Sequence, residues 1–417
     1  MTQLNLLDDP KETAPTWTGT RDDALKRLQT FAPRTGRTYA SSRNYDFGPE
    51  NRSNISCLSP WIRHRLLLEE EVLRDTLARY SLSTAEKFVQ EVFWRAYFKG
   101  WLEHRPGVWT QYRADVSNLI DQLDHNSEEH NRYQNAVHGK TGIDCFDAWA
   151  SELVETGYLH NHTRMWFASI WIFTLGLPWQ LGADFFLRHL LDGDPASNTL
   201  SWRWVAGLHT KGKHYIARRS NIEKYTDGKF SPGGLAIDPL PLFEVHDYPL
   251  QPIKPEQTAS ADKPYGLIIT EEDCNPETLS LPGPPKGVLS LNTTQARSPL
   301  PVGKLANTFS QEALTDAVKR SESRFNCTSE TIDPDEFSSS LVDQAAQFGV
   351  KELVTAHPPT GPVHETLEQA RPVLENAGIN LTYVRREYDS LCWPHATKGF
   401  FKLKTKIPKL LEELGLR

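Results

Sequence analysis

Two patterns of apolar and polar residues divide the chain. Up to about residue 230, apolar positions recur every three or four residues, as in ALKRLQTF and STAEKFVQEVFWRAYFKGWL, which is typical of amphipathic helices. From about residue 265, the short apolar runs YGLIIT, GVLSLN, KELVTA and INLTYV alternate with helical stretches, which predicts a parallel sheet covered by helices. The stretch between them is proline-rich and has little periodicity. The pattern therefore predicts a mainly α protein with an all-helical domain at residues 1–230, an extended linker at 231–264 and a small α/β domain at 265–417.

One predicted helix carries three residues of different chemistry on a single face. Asn161, Arg164 and Met165 fall at positions i, i+3 and i+4, so their side chains project from the same side. Met165 is the only methionine besides the initiator.

The start of a later helix carries two acids. Asp194 is expected to be its N-cap and Pro195 its first helical residue, an arrangement that the backbone chemistry favours. Asp192 and Asp194 would then lie at a helix N-terminus, within reach of Arg164 on a neighbouring helix. A buried ion pair that braces a helical bundle and a ligand site both explain this arrangement.

A third helix is expected to begin at Ser83, which has capping-box spacing to Glu86. Glu91, Trp94 and Arg95 share one face of it. A carboxylate, a flat aromatic ring and a guanidinium together suit a planar, hydrogen-bonding ligand. An amphipathic helix with a solvent-exposed ion pair is the alternative interpretation.

Charge is distributed unevenly along the chain. The formal net charge of the 417 residues is −7 and the pI is about 6.1, which argues against a protein that coats nucleic acid along its whole surface. Between residues 201 and 229, however, seven Lys or Arg face two acids, a local balance of +5. Such a stretch is suited to a phosphate backbone, and a solvated charged face is the alternative.

The cysteines and the apolar runs restrict the class of protein. The five cysteines are scattered singly without a CxxC pair, which speaks against a zinc ribbon, an iron–sulfur cluster or a disulfide framework. No metal site is expected. No apolar run approaches the roughly 18 residues of a membrane span, and the polar, acidic N-terminus is unlike a signal peptide. A cytoplasmic protein without membrane contact is the expectation.

Four motifs together resemble the photolyase/cryptochrome family. HNHTRM and DGDPASNTLSWRW are similar to the family patterns HNRxRM and DGDxAxNxxxWxW, QEVFWR is similar to (N/Q)ExxWRE, and SNISCLSP is similar to TSxLSP. The resemblance covers roughly residues 50–230. It departs from the family at Ile55, Arg65 and Ala96, where the family has Thr, Gly and Glu.

The resemblance implies a cofactor, FAD, and the residues that hold it. In the family, an Asn at the position of Asn198 lies near the flavin N5, an Asp–Arg pair lies along the ring edge, and the LSP segment holds the phosphates. Carried over to this chain, the implied cofactor-binding residues are Ser56, Leu58, Ser59, Gln90, Arg95, Asn161, Arg164, Asp192, Asp194 and Asn198. The resemblance identifies no second, antenna chromophore.

The same resemblance implies a DNA substrate. Glu91, Trp94, Met165 and Trp204 would face a flipped pyrimidine dimer, with the two indoles stacking on its bases. The basic residues Arg203, Lys211 and Lys213 would contact the DNA backbone. The implied catalytic residues are Glu91, Asn198, Trp179 and Trp202.

Trp202 and Trp179 resemble the first two members of the tryptophan chain that passes electrons to the excited flavin. The third member is expected between Asn126 and Ala136, where there is no tryptophan. Either photoreduction is slow, or another aromatic residue provides the exit. The candidates are Tyr133, Trp166 and Trp171.

The function that these expectations describe is light-driven DNA repair. A monomeric photolyase-like lyase would bind FAD and split cyclobutane pyrimidine dimers by electron transfer from the photoexcited reduced flavin. The alternative is a cryptochrome-like blue-light receptor without repair activity, and a flavin-free helical scaffold is a third possibility. The α/β antenna domain normally stands first in photolyases, so the order of domains would be reversed here. The closing segment CWPHATKGFFKLKTKIPKLLEEL either corresponds to the end of that domain or forms an amphipathic cap on the sheet.

Overall fold

Helices dominate the part of the chain that precedes the linker. The computed structural model describes residues 17–416, so most of the N-terminal segment lies outside the described residues. The helices before the linker are α1 (Arg21–Phe31), α2 (Arg37–Ser42), α3 (Ser59–Arg63), α4 (Glu69–Arg79), α5 (Leu82–Glu103), α6 (Gly107–His125), α7 (Ser127–Val137), α8 (Asp144–Thr156), α9 (Asn161–Ser169), α10 (Trp179–His189), α11 (Pro195–Ala206) and α12 (Arg219–Tyr225). A π-helical turn, Ile170–Thr174, extends α9.

Local capping chemistry sets the ends of two helices that matter for the site. Asp194 is the N-cap of α11, and its carboxylate accepts a hydrogen bond from the Ser197 backbone N–H, as predicted. The predicted cap at Ser83 is wrong. Ser81 caps α5 by accepting from Thr84 N, and Leu82 is the first helical residue.

A five-stranded parallel sheet with flanking helices follows the linker, which confirms the predicted fold class. Its strands run in the order β3-β2-β1-β4-β5. The elements are β1 (Gly266–Thr270), β2 (Val288–Leu291), α13 (Lys304–Phe325), β3 (Ser329–Ile332), α14 (Phe337–Gln347), β4 (Glu352–Ala356), α15 (Pro362–Asn376), β5 (Asn380–Val384), α16 (Glu387–Cys392), α17 (Phe400–Lys404) and α18 (Ile407–Glu413).

The apolar-run pattern found four of the five strands. Leu267 pairs with Val288 and with Val354 on the other side, so β1 is central and buried along its whole length. The missed strand, β3, lies at the edge, and only Ile332 of its four residues is buried. Because the other three residues of β3 are at least partly exposed, the strand has no continuous apolar run, and the sequence pattern did not predict it.

The linker residues 231–264 contain no helix and only an isolated bridge, from Gln257 to Val384 of β5; the earlier residues follow the helical part. Leu242 N donates to Ala206 O at 2.9 Å and Gln251 N donates to His104 O at 2.8 Å. These contacts hold an otherwise irregular segment against α11 and the end of α5. The exact division of the chain into domains stays a prediction.

One apolar core crosses the predicted domain boundary. It combines side chains of α1, α4 and α5 with those of β1, α13 and the closing helices α16 to α18. The backbones approach closely at Gly100 of α5, where a Cβ would lie 2.7 Å from Trp393 Cα. The closing segment therefore packs on the helical part as well as on the sheet.

None of the helices in residues 17–416 combines the length and the apolar composition that crossing a bilayer requires.

Candidate functional site

The predicted ion pair between α9 and the start of α11 is present. Arg164 Nη2 lies 2.9 Å from Asp192 Oδ2, and Arg164 Nε donates to Leu159 O at 3.0 Å. Asp192 is buried, whereas Asn161 is exposed and Met165 is half-buried on the same face of α9. The arginine is thus held by two bonds at the base of the helix, with Asn161 and Met165 directed toward solvent.

Asp194 combines a helix cap with a buried ion pair. One carboxylate oxygen accepts from Ser197 N and Oγ, and the other lies 3.6 Å from Lys99 Nζ. Although burial raises the pKa of Asp194, the charges of Lys99, Arg95 and Arg63 outweigh it and hold the pKa below its usual range. Asp194 is therefore ionised at neutral pH.

Asn198 is buried in the first turns of α11. Its Nδ2 donates to Ala183 O of α10 at 2.8 Å, which fixes the orientation of the amide. An amide held in this way presents a hydrogen-bonding group without a charge.

The face of α5 that was expected to meet a substrate is occupied by other side chains. Glu91 forms an ion pair with Arg43, and Gln90 Nε2 donates to Glu86 Oε1 at 2.7 Å. The Phe400 ring of α17 stacks on the Trp94 indole with centroids 3.7 Å apart. A base that stacks on this face of Trp94 requires that Phe400 move away.

The LSP segment is shaped by its backbone. Cys57 has a φ of +54°, and Leu58 N donates to the Ser56 hydroxyl at 3.4 Å. Arg27 of α1 holds the same segment through Ser56 O, at 2.8 Å. Ser59 then begins α3, so both hydroxyls lie in one tight turn.

The basic residues after α10 divide into buried and exposed ones. Arg203, which was expected to contact the DNA backbone, is buried and binds both carboxylate oxygens of Glu244 in the linker, at 2.8 and 2.6 Å. Lys211 and Lys213 are exposed in the loop that follows α11. Trp204 is half-buried and stacks on Tyr215, with centroids 5.7 Å apart.

The aromatic side chains around Trp202 form a contact chain. Trp202 meets Trp171 at a centroid distance of 6.2 Å, and Trp171 meets Tyr133 at 6.1 Å. Gly182 permits this packing, since a Cβ there would lie 2.9 Å from Trp171 Cε2 and closer still to Trp202. Trp179 instead stacks on Tyr112, with centroids 5.7 Å apart. The contacts thus run from Trp202 through Trp171, which lies on the π-helical turn, to Tyr133.

Tyr133 borders a cavity of about 500 Å³ between α7, α8 and the end of α10. Its hydroxyl accepts from Arg188 Nη2 at 3.1 Å, and Arg188 Nε lies 2.8 Å from Asp184 Oδ2. The aromatic chain therefore ends beside a space that opens toward solvent.

A network of buried charges joins these helices to the sheet. Arg63 Nη2 lies 2.6 Å from Glu272 Oε1, and Lys99 Nζ lies 3.8 Å from Glu272 Oε2. Arg65, which stands where the resembled family has glycine, has a φ of +51° and lies 2.5 Å from Asp389 Oδ2. Glycine adopts a positive φ without strain, whereas arginine does not. The buried ion pairs of Arg65 therefore hold it in this conformation.

Comparison with known proteins connects this geometry to a family. Residues 88–233 match the model of the FAD binding domain of DNA photolyase, a region that includes most of α5 and all of α9 to α12. Residues 88–233 thus resemble the photolyase/cryptochrome family. Ser56, Leu58 and Ser59 lie outside the matched residues.

Relatives in this family are similar to only part of the chain. A deoxyribodipyrimidine photo-lyase of Neurospora crassa is 28% identical over 256 residues, which are 60% of this chain and 40% of that protein. A cryptochrome DASH of Idiomarina loihiensis is 26% identical over 234 residues, 53% of this chain and 50% of that protein. A bacterial class III photolyase structure from Agrobacterium tumefaciens is 26% identical, with a TM-score of 0.43 over 54% of this chain and 46% of that one. The chain spans half or less of the length of these relatives.

Unpartnered polar atoms test whether the residues present suit the flavin of this family. Within residues 17–416, Arg95 Nε and Nη2 and Asp192 Oδ1 are among the buried polar atoms without a hydrogen-bond partner, and Arg95 Nε lies 3.8 Å from Glu69 Oε1. Leaving such an atom unsatisfied costs about 1–3 kcal/mol, so a ligand that supplies the partner is favoured. A guanidinium suits a phosphate, and a carboxylate oxygen suits an N–H or hydroxyl donor. FAD carries these groups, so the residues fit it.

Sequence reasoning missed the part that the α/β region plays beside this site. Lys99, Arg63 and Glu272 form a buried cluster against Asp194, and Phe400 covers Trp94. One signal was available. Three consecutive acids, Glu271 to Asp273, directly follow a buried strand, and the carboxyl ends of parallel strands are where functional side chains gather.

Proposed function

We propose that the protein is a light-dependent DNA repair flavoprotein that binds FAD and splits cyclobutane pyrimidine dimers. The observation that carries the proposal is that Arg95 and Asp192 both have buried polar atoms without a hydrogen-bond partner, inside the region that matches the FAD binding domain. Bound FAD supplies the light absorption and the electron for opening the cyclobutane ring. The named photo-lyase relatives support this reading of the reaction.

In this proposal, the cofactor is held from two sides. Arg95 donates its free N–H groups to phosphate oxygens, and Asp192 accepts from the cofactor through Oδ1 while Arg164 fixes its other oxygen. Asn198, oriented by Ala183 O, offers an uncharged partner to the redox-active ring. These residues bind and orient the flavin without transferring protons themselves.

The substrate is proposed to meet Glu91, Trp94, Met165 and Trp204. Base stacking on an aromatic side chain contributes about 1–3 kcal/mol per base, which exceeds the roughly 0.5–1.5 kcal/mol of an aromatic pair. Phe400 is also buried in the core, so a flipped base that displaces it from Trp94 must offset the loss of that burial as well. Glu91 becomes available as an acceptor once Arg43 turns toward the DNA.

Electrons from an external reductant are proposed to enter through Tyr133 and Trp171. Of the three aromatic residues considered for the exit of the tryptophan chain, Trp171 contacts Trp202 directly and Tyr133 contacts Trp171. Trp166 instead stacks on Trp149, with centroids 5.6 Å apart, and hydrogen-bonds Asn221. The cavity beside Tyr133 gives a small reductant access to the end of this route.

A blue-light receptor without repair activity is the second candidate. One observation favours it, namely that Phe400 and Arg43 already occupy the groups expected to meet DNA. A cryptochrome DASH is also among the named relatives.

Repair of a defined lesion tests the two functions against each other. The reduced, FAD-loaded protein is incubated with an oligonucleotide that contains a thymine dimer, in blue light and in darkness, and restored thymines are quantified by chromatography. Restoration that depends on light is the expected result. A normal flavin spectrum with no restoration in light would contradict repair and favour the receptor.

A further inference from the structure

The closing segment of the chain has two sharply different faces. From residue 398 to residue 411, apolar and polar positions alternate with helical spacing through α17 and α18. The inward positions are Phe400, Leu403, Ile407, Leu410 and Leu411, all of them buried. The outward positions are Lys398, Phe401, Lys402, Thr405, Lys406 and Lys409, all of them exposed. The inner face is anchored in the core that the segment shares with α5.

The outward face is basic and carries an aromatic ring. No acid occurs between residues 397 and 411, although the chain as a whole has a formal charge of −7. Lys404 pairs with Glu86 and Lys409 with Glu413, but Lys398, Lys402 and Lys406 have no ion-pair partner in the described part of the chain. Phe401 is 77% exposed between them. Three unpaired ammonium groups around an exposed ring form a basic surface with an aromatic residue, which suits a polyanion that also carries flat rings.

The segment lies beside the second basic stretch of the molecule. Phe400 contacts Tyr97 of α5 at a centroid distance of 5.7 Å, and Tyr97 hydrogen-bonds His209 at 3.0 Å. His209 also meets Trp101, at 4.7 Å between centroids. Lys211 and Lys213 follow His209 by two and four residues. The unpaired lysines in and around α17 and the lysines of this loop therefore flank the same stretch of α5, Trp94 to Trp101.

We infer that the outward face of the closing segment, with Lys398, Phe401, Lys402 and Lys406, is a DNA-binding surface. Its lysines bind backbone phosphates and Phe401 stacks on a base or a sugar beside them. The surface extends the DNA path from the loop of Lys211 and Lys213, across the aromatic stretch of α5, onto a part of the chain outside the matched FAD binding domain. The inference rests on the proposed function for the lesion, but binding of undamaged DNA in darkness tests it separately.

A basic face with an exposed aromatic residue also suits an anionic membrane surface. DNA is favoured here because of where the face lies. Both flanking basic segments lie beside a run of half-buried aromatic rings, Trp94, Phe98 and Trp101. A membrane-binding helix instead directs its apolar face into the bilayer, and in this segment that face is buried in the protein core.

The test is a titration of fluorescein-labelled undamaged duplex DNA in the dark, followed by fluorescence anisotropy at several salt concentrations. The variant K398Q/K402Q/K406Q is expected to lose roughly one to two orders of magnitude in affinity at low salt. Its plot of log K against log salt concentration should be shallower by about 3, one for each lost phosphate contact. Phe401→Ala should weaken binding roughly tenfold without changing that slope.

Matched variants make the result decisive. K286Q/K304Q/K319Q removes three other exposed lysines and should bind as the wild type does. K398R/K402R/K406R keeps the charge and should retain both affinity and slope. Equal binding by the two glutamine triple variants, or no binding by the wild-type protein, would overturn the inference. So would stronger binding to phosphatidylcholine vesicles containing phosphatidylserine than to DNA.

The two proposals fail in different ways. Lysine-dependent DNA binding in the dark without light-dependent thymine restoration would retain the surface and reject repair. If K398Q/K402Q/K406Q repairs the dimer in light and binds undamaged DNA as tightly as the wild-type protein does, repair is retained and the DNA-binding surface is rejected.

Discussion

The Phe400 ring lies nearly parallel to the Trp94 indole, at 12° and with centroids 3.7 Å apart. One residue belongs to the closing helix α17 and the other to α5, 306 positions earlier in the chain. The stack covers the indole face that the proposed substrate would use. Phe400 therefore competes with the flipped base for the same surface.

Replacing Phe400 by Leu should raise the affinity for dimer-containing DNA about two- to tenfold, because the aromatic pair that a base must displace is worth roughly 0.5–1.5 kcal/mol. Leucine retains most of the buried apolar volume, so the fold should be kept. The measurement is anisotropy with dimer-containing and undamaged oligonucleotides. Phe93→Leu, which alters a buried ring that packs on Tyr388, serves as the control and should leave affinity unchanged. An unaltered affinity in the Phe400 variant would mean that bases do not use this face.

Replacing Trp171 by Phe should slow photoreduction of the bound flavin to a small fraction of the wild-type rate. The reason is that Trp171 alone contacts both Trp202 and Tyr133 among the three exit candidates. Absorbance of the flavin under blue light with an added thiol reductant gives the rate. Trp166→Phe is the matched control, since Trp166 packs on Trp149 instead. Equal rates for the two variants would remove Trp171 from the route.

Replacing Asn198 by Asp should lower the reduction potential of the flavin while FAD remains bound. A carboxylate at this buried position places negative charge beside a ring that gains electron density on reduction. Spectroelectrochemical titration of the purified protein measures the potential, and the bound-flavin spectrum reports occupancy. Asn221→Asp, in α12, provides a control of the same chemical change. An unchanged potential would contradict a position of Asn198 at the redox-active part of the flavin.

Replacing Arg65 by Met should destabilise the protein by about 3–5 kcal/mol, because it leaves the Asp389 carboxylate buried without its partner. Asp273 keeps its ion pair with Arg386, at 2.6 Å. The shift of the urea unfolding midpoint measures the loss. Adding Asp389→Asn should recover part of it, and Arg324→Met, at an exposed position, should cost little. A double variant no more stable than the single one would indicate that the ion pair is not the cause.

Replacing Glu70 by Gln should stabilise the protein at pH 8 but not at pH 4.5. Burial, together with the charge of Glu69, raises the pKa of Glu70 from 4.5 to about 7, and Arg65 and Arg386 oppose this rise only in part. Between pH 4.5 and about pH 7, the Glu70 carboxyl is therefore protonated in the folded protein but ionised in the unfolded chain. The resulting stability is present below pH 4.5 and is lost as the pH rises to about 7.

The difference between Glu70→Gln and the wild-type protein should reach about 1–3 kcal/mol at pH 8, since a tenfold change in a proton-binding constant corresponds to about 1.4 kcal/mol. Urea midpoints at both pH values measure it. The exposed Glu50→Gln variant should show no such pH dependence. A midpoint for Glu70→Gln that follows the wild-type protein at every pH would contradict the raised pKa.

The sequence by itself determined those features that depend on residues close to one another in the chain. Asp194 and Pro195 begin α11 because a carboxylate reaches the N–H three residues on and proline lacks the N–H that the first turn leaves free. The central strands follow from continuous apolar runs. The pairing of Arg164 with Asp192 follows from a basic residue on one helix and acids at the start of another.

Only the tertiary structure decided which residues far apart in the chain become partners. Arg203 belonged to a basic stretch in sequence, but folding of the linker brought the half-buried Glu244 against it and helped to bury Arg203. Arg65 and Asp389 are 324 residues apart, and Phe400 reaches Trp94 only because the closing helices return to α5. Periodicity shows which face of an element is apolar, but which distant surface covers that face depends on how all the elements pack.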